Sequence, residues 1–445
     1  MFHVQPCVPE GGSVIGQVLT PDALAEYMAE LLVSSSGPVG PIRSLDPGAG
    51  AGALTRALVD RASSQGDVFQ RITLVESDST FTSSLFELQD VALKTATTID
   101  LHLEDFIDYA GTALTNGEAF THIIMNPPYR KLRSLSEHDI ALKHLGVNVT
   151  NYYAAFLWLA IDLLQPQGRL VTVIPRSFMN GAMFAGLRRH LLSNTSIEQI
   201  TTFDSRDVFA RDSVLQEIVV LSLRKSIQND ASTRFVQADT TGPNIQERSI
   251  FSTTRGEYLL PLKEGHAITI PVSPNEPAPP LGSPLIGHPF DVRTGSVVDF
   301  RHRQNIVDLP GVDTVPLIGS AQLALNSTAP LNRFLKVNDQ TRRFVRPPGH
   351  YVIIKRISPP EQVPRIRART IDTRSWSNTG IAFENHVNYI CRGPAALSSR
   401  EAAELLAALT HQDTENQFAR LSGTTQVNVT DLRLLRHPNK ENGSQ

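Results

Sequence analysis

Asn126-Pro127-Pro128-Tyr129 is the stretch of this chain whose residue types and order point most directly to chemistry. Two prolines restrict the backbone and aim their carbonyls in a set direction. An asparagine amide oxygen beside such a carbonyl makes a pair of acceptors, matched to an NH2 group with two hydrogens. Holding both hydrogens lets the nitrogen lone pair leave conjugation with its ring and face an electrophile. Tyr129 adds a flat surface for the same planar substrate. The plain alternative is a strand that ends in an ordinary proline turn.

A second group precedes it. Asp46 to Gly52 reads DPGAGAG, and Gly48, Gly50 and Gly52 let the backbone turn sharply and approach a ligand closely. Alone, such a turn could hold a dinucleotide, a phosphate or nothing. The dinucleotide fingerprint is G-x-G-x-x-G, whereas this turn is G-x-G-x-G, and no Lys-Ser or Lys-Thr follows as in a P-loop. Glu76, closing the next apolar run, suits the two hydroxyls of a ribose. Asp105 and Phe106, after a third run, would lie near an adenine. A ribose acid, a second acid and no phosphate-binding lysine together suit S-adenosylmethionine. His3, His102, His122, His138 and His144 show no ligand spacing with cysteines or acids, so no metal is expected.

The elements that must position these groups can be read around them. Residues 21–33 have helical spacing, with Pro21 in the first turn and Thr20 as N-cap. Strands are expected at 42–45, at RITLVES up to Glu76, at LHLEDF, at THIIM before the tetrapeptide, at GRLVTVIP and at EIVVLSLRK. Helices are expected from about 53, over 83–93, over 152–164 and over 183–192. Alternating strands and helices predict an α/β fold, a Rossmann-like and mainly parallel sheet covered on both faces. Ligands of such sheets sit at the carboxyl ends of the strands. Asp46, Glu76, Asp105 and Asn126 all fall there, so one rim collects them.

After about residue 226 the rhythm changes. Residues 271–290 are proline-rich, and beyond them come short strand-like pieces such as 351–356 and a helical segment over 399–409. The reading is a first domain over 1–226, a proline-rich connection over 227–290 and a mixed α+β second domain over 291–445.

Composition sets the remaining bounds. With 445 residues, 41% hydrophobic and 19% charged, the chain can bury a large core in two or three domains. No run of about 18 apolar residues is present and the N-terminus lacks a secretory pattern, so a cytoplasmic protein without a membrane span is expected. Two cysteines, Cys7 and Cys391, cannot build a disulfide scaffold. The net charge of −3 conceals a basic stretch: between Arg333 and Arg374 stand eleven Lys/Arg and three acids. Such a segment is either a binding face for a polyanion or a solvated surface.

Taken together the motifs resemble the amino-methylating DNA methyltransferases, especially the gamma-class adenine enzymes of restriction-modification systems of the PstI and BsuBI type. The resemblance rests on GQVLTP at 16–21, DPGAGAG at 46–52, VES at 75–77, EDF at 104–106 and NPPY at 126–129. Residues 151–175, DVFARDSVLQEIVVLSL at 207–223, RTGSVVDFRHR at 293–303 and SGTTQVNVTDLR at 422–433 continue it. It implies S-adenosylmethionine as cofactor, with Thr20 and Pro21 joining its site, and methyl transfer to the N6-amino group of adenine in double-stranded DNA after base flipping. It also implies that Phe209 packs against the flipped base. A cognate restriction endonuclease would act on the same site without a stable complex, and the protein would be a bacterial monomer.

The residues agree with direct amine attack. Neither cysteine follows a proline at a strand end, which argues against methylation of cytosine carbon 5. In the second half, Arg301 and Arg303 could reach a groove, and Arg342, Arg343, Lys355 and Arg356 could grip the backbone. Cytosine N4 is the closest chemical alternative. The same tetrapeptide also serves enzymes acting on RNA amines or on a protein glutamine, which generally lack a large second domain. A non-catalytic DNA-specificity module is a further reading, opposed by the intact glycines, Asn126 and Tyr129.

Overall fold

The computed structural model describes residues 19–437, apart from 34–41, 66–68, 94–96, 204–216, 227–231, 241–243, 263–264, 272–282, 324–330, 360–361 and 423–424. The chain divides into two compact units: Met1–Phe178, Met183–Gly256 and Pro261–His266 form the first, and the rest forms the second. The expected boundaries at 226 and 290 fall inside these units rather than between them.

The first unit is built on a nine-stranded sheet. In chain order its strands are β1 (Ile42–Pro47), β2 (Phe69–Val75), β3 (Thr98–His102), β4 (Phe120–Met125), β5 (Leu164–Pro175), β6 (Ser196–Phe203), β7 (Ile218–Arg224), β8 (Ser232–Asp239) and β9 (Gln246–Thr254). In space they run β3-β2-β1-β4-β5-β7-β6-β8-β9. The five strands from β3 to β5 are parallel, and β7 lies antiparallel to both neighbours. This is a Rossmann-like α/β architecture. The central strands are largely buried, as strands covered on both faces must be: β4 is buried at every residue, Thr121 and His122 included. The strand order reverses between β1 and β4, which opens a crevice at their carboxyl ends.

Helices α1 (Asp22–Val33), α2 (Ala53–Gln65) and α3 (Thr82–Leu93) agree with the sequence pattern. Leu24, Met28, Leu32, Leu54, Leu58, Leu85 and Leu88 bury their apolar stripes in one cluster with β-strand residues such as Ile72, Leu74 and Ile124. Helices α4 (Phe106–Thr115) and α5 (Glu137–His144), beside the rim, lie outside the sequence expectations. Helix α6 (Tyr152–Leu163) is buried on nearly every face, as its composition implies. EDF has the pattern of a strand end, but Asp105 is the N-cap of α4, its carboxylate accepting from the Ile107 amide at 2.8 Å. The strand stops at His102, and an aspartate preceding FIDYA is a helix start. Strands β6, β8 and β9 are likewise additions to the expected set. Helix α7 (Ala185–Asn194) follows a 3-10 turn at Ala182–Phe184, slightly later than expected.

The second unit holds two four-stranded sheets. One runs Phe290–Thr294, Val387–Arg392, His350–Lys355, Ala368–Asp372, antiparallel throughout. The other runs Ile306–Val307, Phe334–Lys336, Thr314–Ile318, Ala382–Phe383. Tyr351, Phe383 and Tyr389 form an aromatic core, with the Phe383 and Tyr389 rings stacked 4.0 Å apart. The helix Ser399–Leu409 spans the residues the sequence indicated and starts at a capping box between Ser398 and Glu401. Among the described residues, no helix is long and apolar enough to cross a membrane.

Candidate active site

The glycine turn leaves β1 at Asp46 and Pro47, which lie beside Leu74 and Val75 of β2. The Val75 carbonyl accepts from the amides of Gly48 at 2.8 Å and Ala49 at 3.2 Å, which bends the chain over the end of β2. Gly50 and Gly52 have φ of +55° and +81°, a left-handed region that side chains avoid. At Gly52 a Cβ would lie 2.7 Å from Leu88 Cδ2, so this glycine also lets α3 pack close.

Two carboxylates anchor the turn. Glu76 is buried, and its oxygens accept from the Gly50 and Asp78 amides, each at 2.7 Å. A carboxylate offers about four acceptor sites, so bolting the turn and receiving ribose hydroxyls are compatible roles. Asp46 accepts from the Thr55 hydroxyl at 2.7 Å through Oδ2, while its Oδ1 is buried with no hydrogen-bond partner among the described residues. Burial pushes its carboxyl up to about 7, with Glu76 adding to the rise and Thr55 opposing it. An open, buried carboxylate oxygen at the switch point fits a cofactor that brings positive charge, as S-adenosylmethionine does.

That burial has a measurable consequence. A carboxyl whose folded value lies above its unfolded one binds more protons folded than unfolded, so stability falls as pH rises from about 4 to about 7. Asp46→Asn removes the titration and keeps an oxygen for Thr55. Without ligand, the variant's gain in thermal midpoint over wild type should be small near pH 4. By pH 8 it should reach the equivalent of a few kcal/mol, since each pH unit separating the folded and unfolded titrations is worth roughly 1.4 kcal/mol. Calorimetric melts across that range check this, and a gain independent of pH would contradict it.

Asn126 follows Met125, which pairs with Thr172 of β5. Its amide Nδ2 donates to Thr20 Oγ1 at 3.1 Å. The sequence reading has Thr20 as the N-cap of α1, but the helix begins at Asp22, so Pro21 precedes it and supplies the carbonyl that accepts from Ala25, while the Thr20 hydroxyl is engaged with the tetrapeptide. An amide has one oxygen and one NH2 group, so tying the NH2 to Thr20 decides which way the oxygen faces. Pro127 is buried and Pro128 half-buried. Tyr129 is half-buried, its hydroxyl donating to the Val173 carbonyl at 3.1 Å and its ring edge-on to Tyr153. Burial holds the Tyr129 phenol well above its ordinary range.

Phe106 is buried rather than lining an open surface; it packs at 4.7 Å on Phe156, whose ring lies against Gly48. Asp105 divides its carboxylate between the cap of α4 and His138 Nε2 at 3.4 Å. His138 Nδ1 meets the Tyr152 hydroxyl at 2.8 Å, and the Arg130 guanidinium stacks 4.0 Å over the Tyr152 ring. A chain of contacts therefore links Arg130, directly after the tetrapeptide, to Asp105. No spacing pattern singles out His138, because its partners lie 33 residues before it and 14 after. Asp105, Asp108 and His138 bring one ligand atom each within 4.8 Å. The cap and the Tyr152 contact account for Asp105 and His138 without an ion. Phe209 lies outside the described residues.

In the second unit, the short helix Asp299–His302 lies against the turn Arg342–Phe344, because the His302 and Phe344 rings meet edge-on at 5.0 Å. This gathers Arg301, Arg303, Arg342 and Arg343, all exposed. Lys355 and Arg356 are elsewhere, on and just after the central strand of the antiparallel sheet. Arg356 is engaged in holding loops, donating to the Asn385 carbonyl at 2.9 Å and to Gln426 at 3.1 Å. Other members of the basic stretch are structural as well. Arg333 pairs with Asp299 and Glu384, and buried Arg365 donates to the Ser422 and Ser358 carbonyls.

Comparison with known proteins bears on this arrangement. Residues 66–209 match the Eco57I restriction-modification methylase family. The type II methyltransferase M.BsuBI of Bacillus subtilis is 32% identical over 96% of this chain and 88% of its own length. M.PstI of Providencia stuartii is 30% identical over the same shares. A solved class I S-adenosylmethionine-dependent methyltransferase from Listeria monocytogenes aligns at 19% identity and a TM-score of 0.41, over 52% of this chain and 68% of its own. S-adenosylmethionine is the expected cofactor. Nearly full-length identity of this degree is decisive: the chain belongs to the family of type II restriction-modification methyltransferases that includes M.BsuBI and M.PstI.

Proposed function

We propose that the protein methylates the N6-amino group of adenine in duplex DNA, using S-adenosylmethionine, as the protective half of a restriction-modification system. The observation that carries this reading is Asn126, held by Thr20 at the mouth of the crevice between β1 and β4, with the glycine turn and Glu76 on the same rim. When bound, S-adenosylmethionine supplies an electrophilic methyl group on a sulfonium. The Asn126 oxygen and a proline carbonyl accept the two amino hydrogens, so the nitrogen lone pair turns out of the ring plane. Held in this way, the amine would be aimed at the electrophilic methyl group that the cofactor would supply, and the nitrogen would give up its surplus proton to solvent. The acceptor is a neutral amine, so orientation supplies most of the acceleration. A base inside a duplex must leave the stack to reach such a pair, and Tyr129 offers it a face. The second unit, with its exposed arginines, supplies DNA recognition.

The test is incubation of the purified protein with labelled cofactor and, separately, duplex DNA, structured RNA and a glutamine-bearing protein. Label is expected in DNA alone. Label confined to RNA or protein would overturn the reading.

Thr20 enters this mechanism as a positioning residue. Thr20→Val removes the acceptor for the Asn126 amide while preserving shape. Single-turnover methyl transfer should fall roughly fivefold to tenfold, the worth of one hydrogen bond. Cofactor affinity should stay within about twofold, and Thr20→Ser should restore the rate. A loss of cofactor affinity with an unchanged rate would return Thr20 to the cofactor site alone.

A further inference from the structure

Among the described residues, two non-glycine residues have a left-handed backbone: Gln167, within β5 just before Gly168, and Leu135. Leu135 has φ of +62° and is 80% exposed. A bulky side chain is disfavoured at such an angle, and a large apolar one gains nothing by standing in water. Both features together call for a cause, because backbone strain persists where surrounding structure holds it and concentrates at functional sites.

The surroundings do hold it. Asp139, buried in the first turn of α5, accepts from the Leu135 amide at 2.7 Å and from Lys143 Nζ at 2.8 Å. These contacts, the lysine first, draw its carboxyl below the usual range. Ser136 caps the same helix. Upstream, the Leu132 amide bonds to the Thr150 carbonyl, and Lys131 bridges to Asn151. The loop is therefore tied at both ends, with none of these bonds involving the Leu135 side chain. It begins directly after Tyr129, and Arg130, Lys131 and Arg133 on it are all exposed. A rigid loop with three cations and one protruding apolar tip, next to the tetrapeptide, is matched to a polyanion with an apolar interior.

We propose that Leu135 is a wedge that enters the duplex beside the target base and supports its extrusion, with Arg130, Lys131 and Arg133 on the flanking phosphates. This rests on the reading of the protein as a DNA amino-methyltransferase that flips its base. Apolar side chains inserted at a base step unstack it, and the cost of unstacking is least where pairing is already absent.

Leu135→Gly separates this role from folding, since glycine accepts the left-handed angle and leaves the Asp139 bond in place. The recognition site is first mapped by sequencing DNA methylated by the wild type. Duplexes carrying that site are then made with the target adenine paired, or opposite an abasic position, and a third with 2-aminopurine at the target. Leu135→Gly should melt no lower than wild type. It should methylate the paired target roughly tenfold or more slowly, with a smaller 2-aminopurine signal. On the abasic duplex it should regain wild-type rate within about threefold, and Leu135→Met should behave as wild type throughout. A normal rate on the paired duplex overturns the wedge, as does an equal deficit on both duplexes. If the wild type itself gives no 2-aminopurine signal, the base-flipping reading fails instead.

Discussion

Asn126→Ala should lower single-turnover methyl transfer to duplex DNA by roughly 10²-fold or more at saturating cofactor, the usual loss when one preorganised polar group leaves an active site. The substitution removes one of two acceptors for the amino hydrogens, so the nitrogen lone pair remains conjugated with the ring. It also leaves the Thr20 hydroxyl without its 3.1 Å partner, a small structural cost at a half-buried position. The anchors of the glycine turn, Val75, Glu76 and Asp46, are separate from Asn126, so cofactor affinity should stay within about twofold. Tyr129→Ala should act differently, loosening the hold on the base by the worth of one stacking contact, about 1–3 kcal/mol. A normal rate for Asn126→Ala would remove the tetrapeptide from the chemistry, whatever the family.

Glu76→Ala should weaken S-adenosylmethionine by roughly 10²-fold, because two hydrogen bonds to a charged acceptor are each worth about 1.5 kcal/mol or more. A second effect adds to this. The same carboxylate holds the Gly50 and Asp78 amides at 2.7 Å, so its removal frees the turn as well as the ribose. Glu76→Gln keeps one oxygen and should fall between the two. Titration calorimetry of the folded variants measures both, and unchanged affinity in Glu76→Ala would take this residue out of the cofactor site.

The sheet and the rim are legible in the sequence because their signals are local. Apolar runs with turns between them mark β1 to β5, and the glycines and acids at their ends are visible where each run stops. What escapes depends on distance or on competing patterns. Asp105 ends an apolar run and also starts a helix, and without α4 the sequence reads as one longer strand. Strands β8 (STRFVQAD) and β9 (QERSIFSTT) are mostly polar in sequence, and β9 alternates exposed and half-buried residues, as an edge strand does. Their place in the sheet is set by pairing, β8 on β6 and β9 on β8, not by their own composition. The contact between Thr20 and Asn126 spans 106 residues, and no spacing rule reaches so far. Charge counting exposes the basic stretch but cannot sort it. Arg365 is buried against carbonyls, while Arg342 and Arg343 stand in solvent, a division made by packing rather than by residue type.

The account turns on an exocyclic adenine amine held by Asn126, and the identity of the methylated base tests that most directly. Duplex DNA incubated with the protein and S-adenosylmethionine, digested to nucleosides and separated by mass spectrometry, should contain N6-methyladenine as its modified base, and Asn126→Ala should abolish most of it. N4-methylcytosine in its place, or N6-methyladenine formed equally well by Asn126→Ala, would contradict the account.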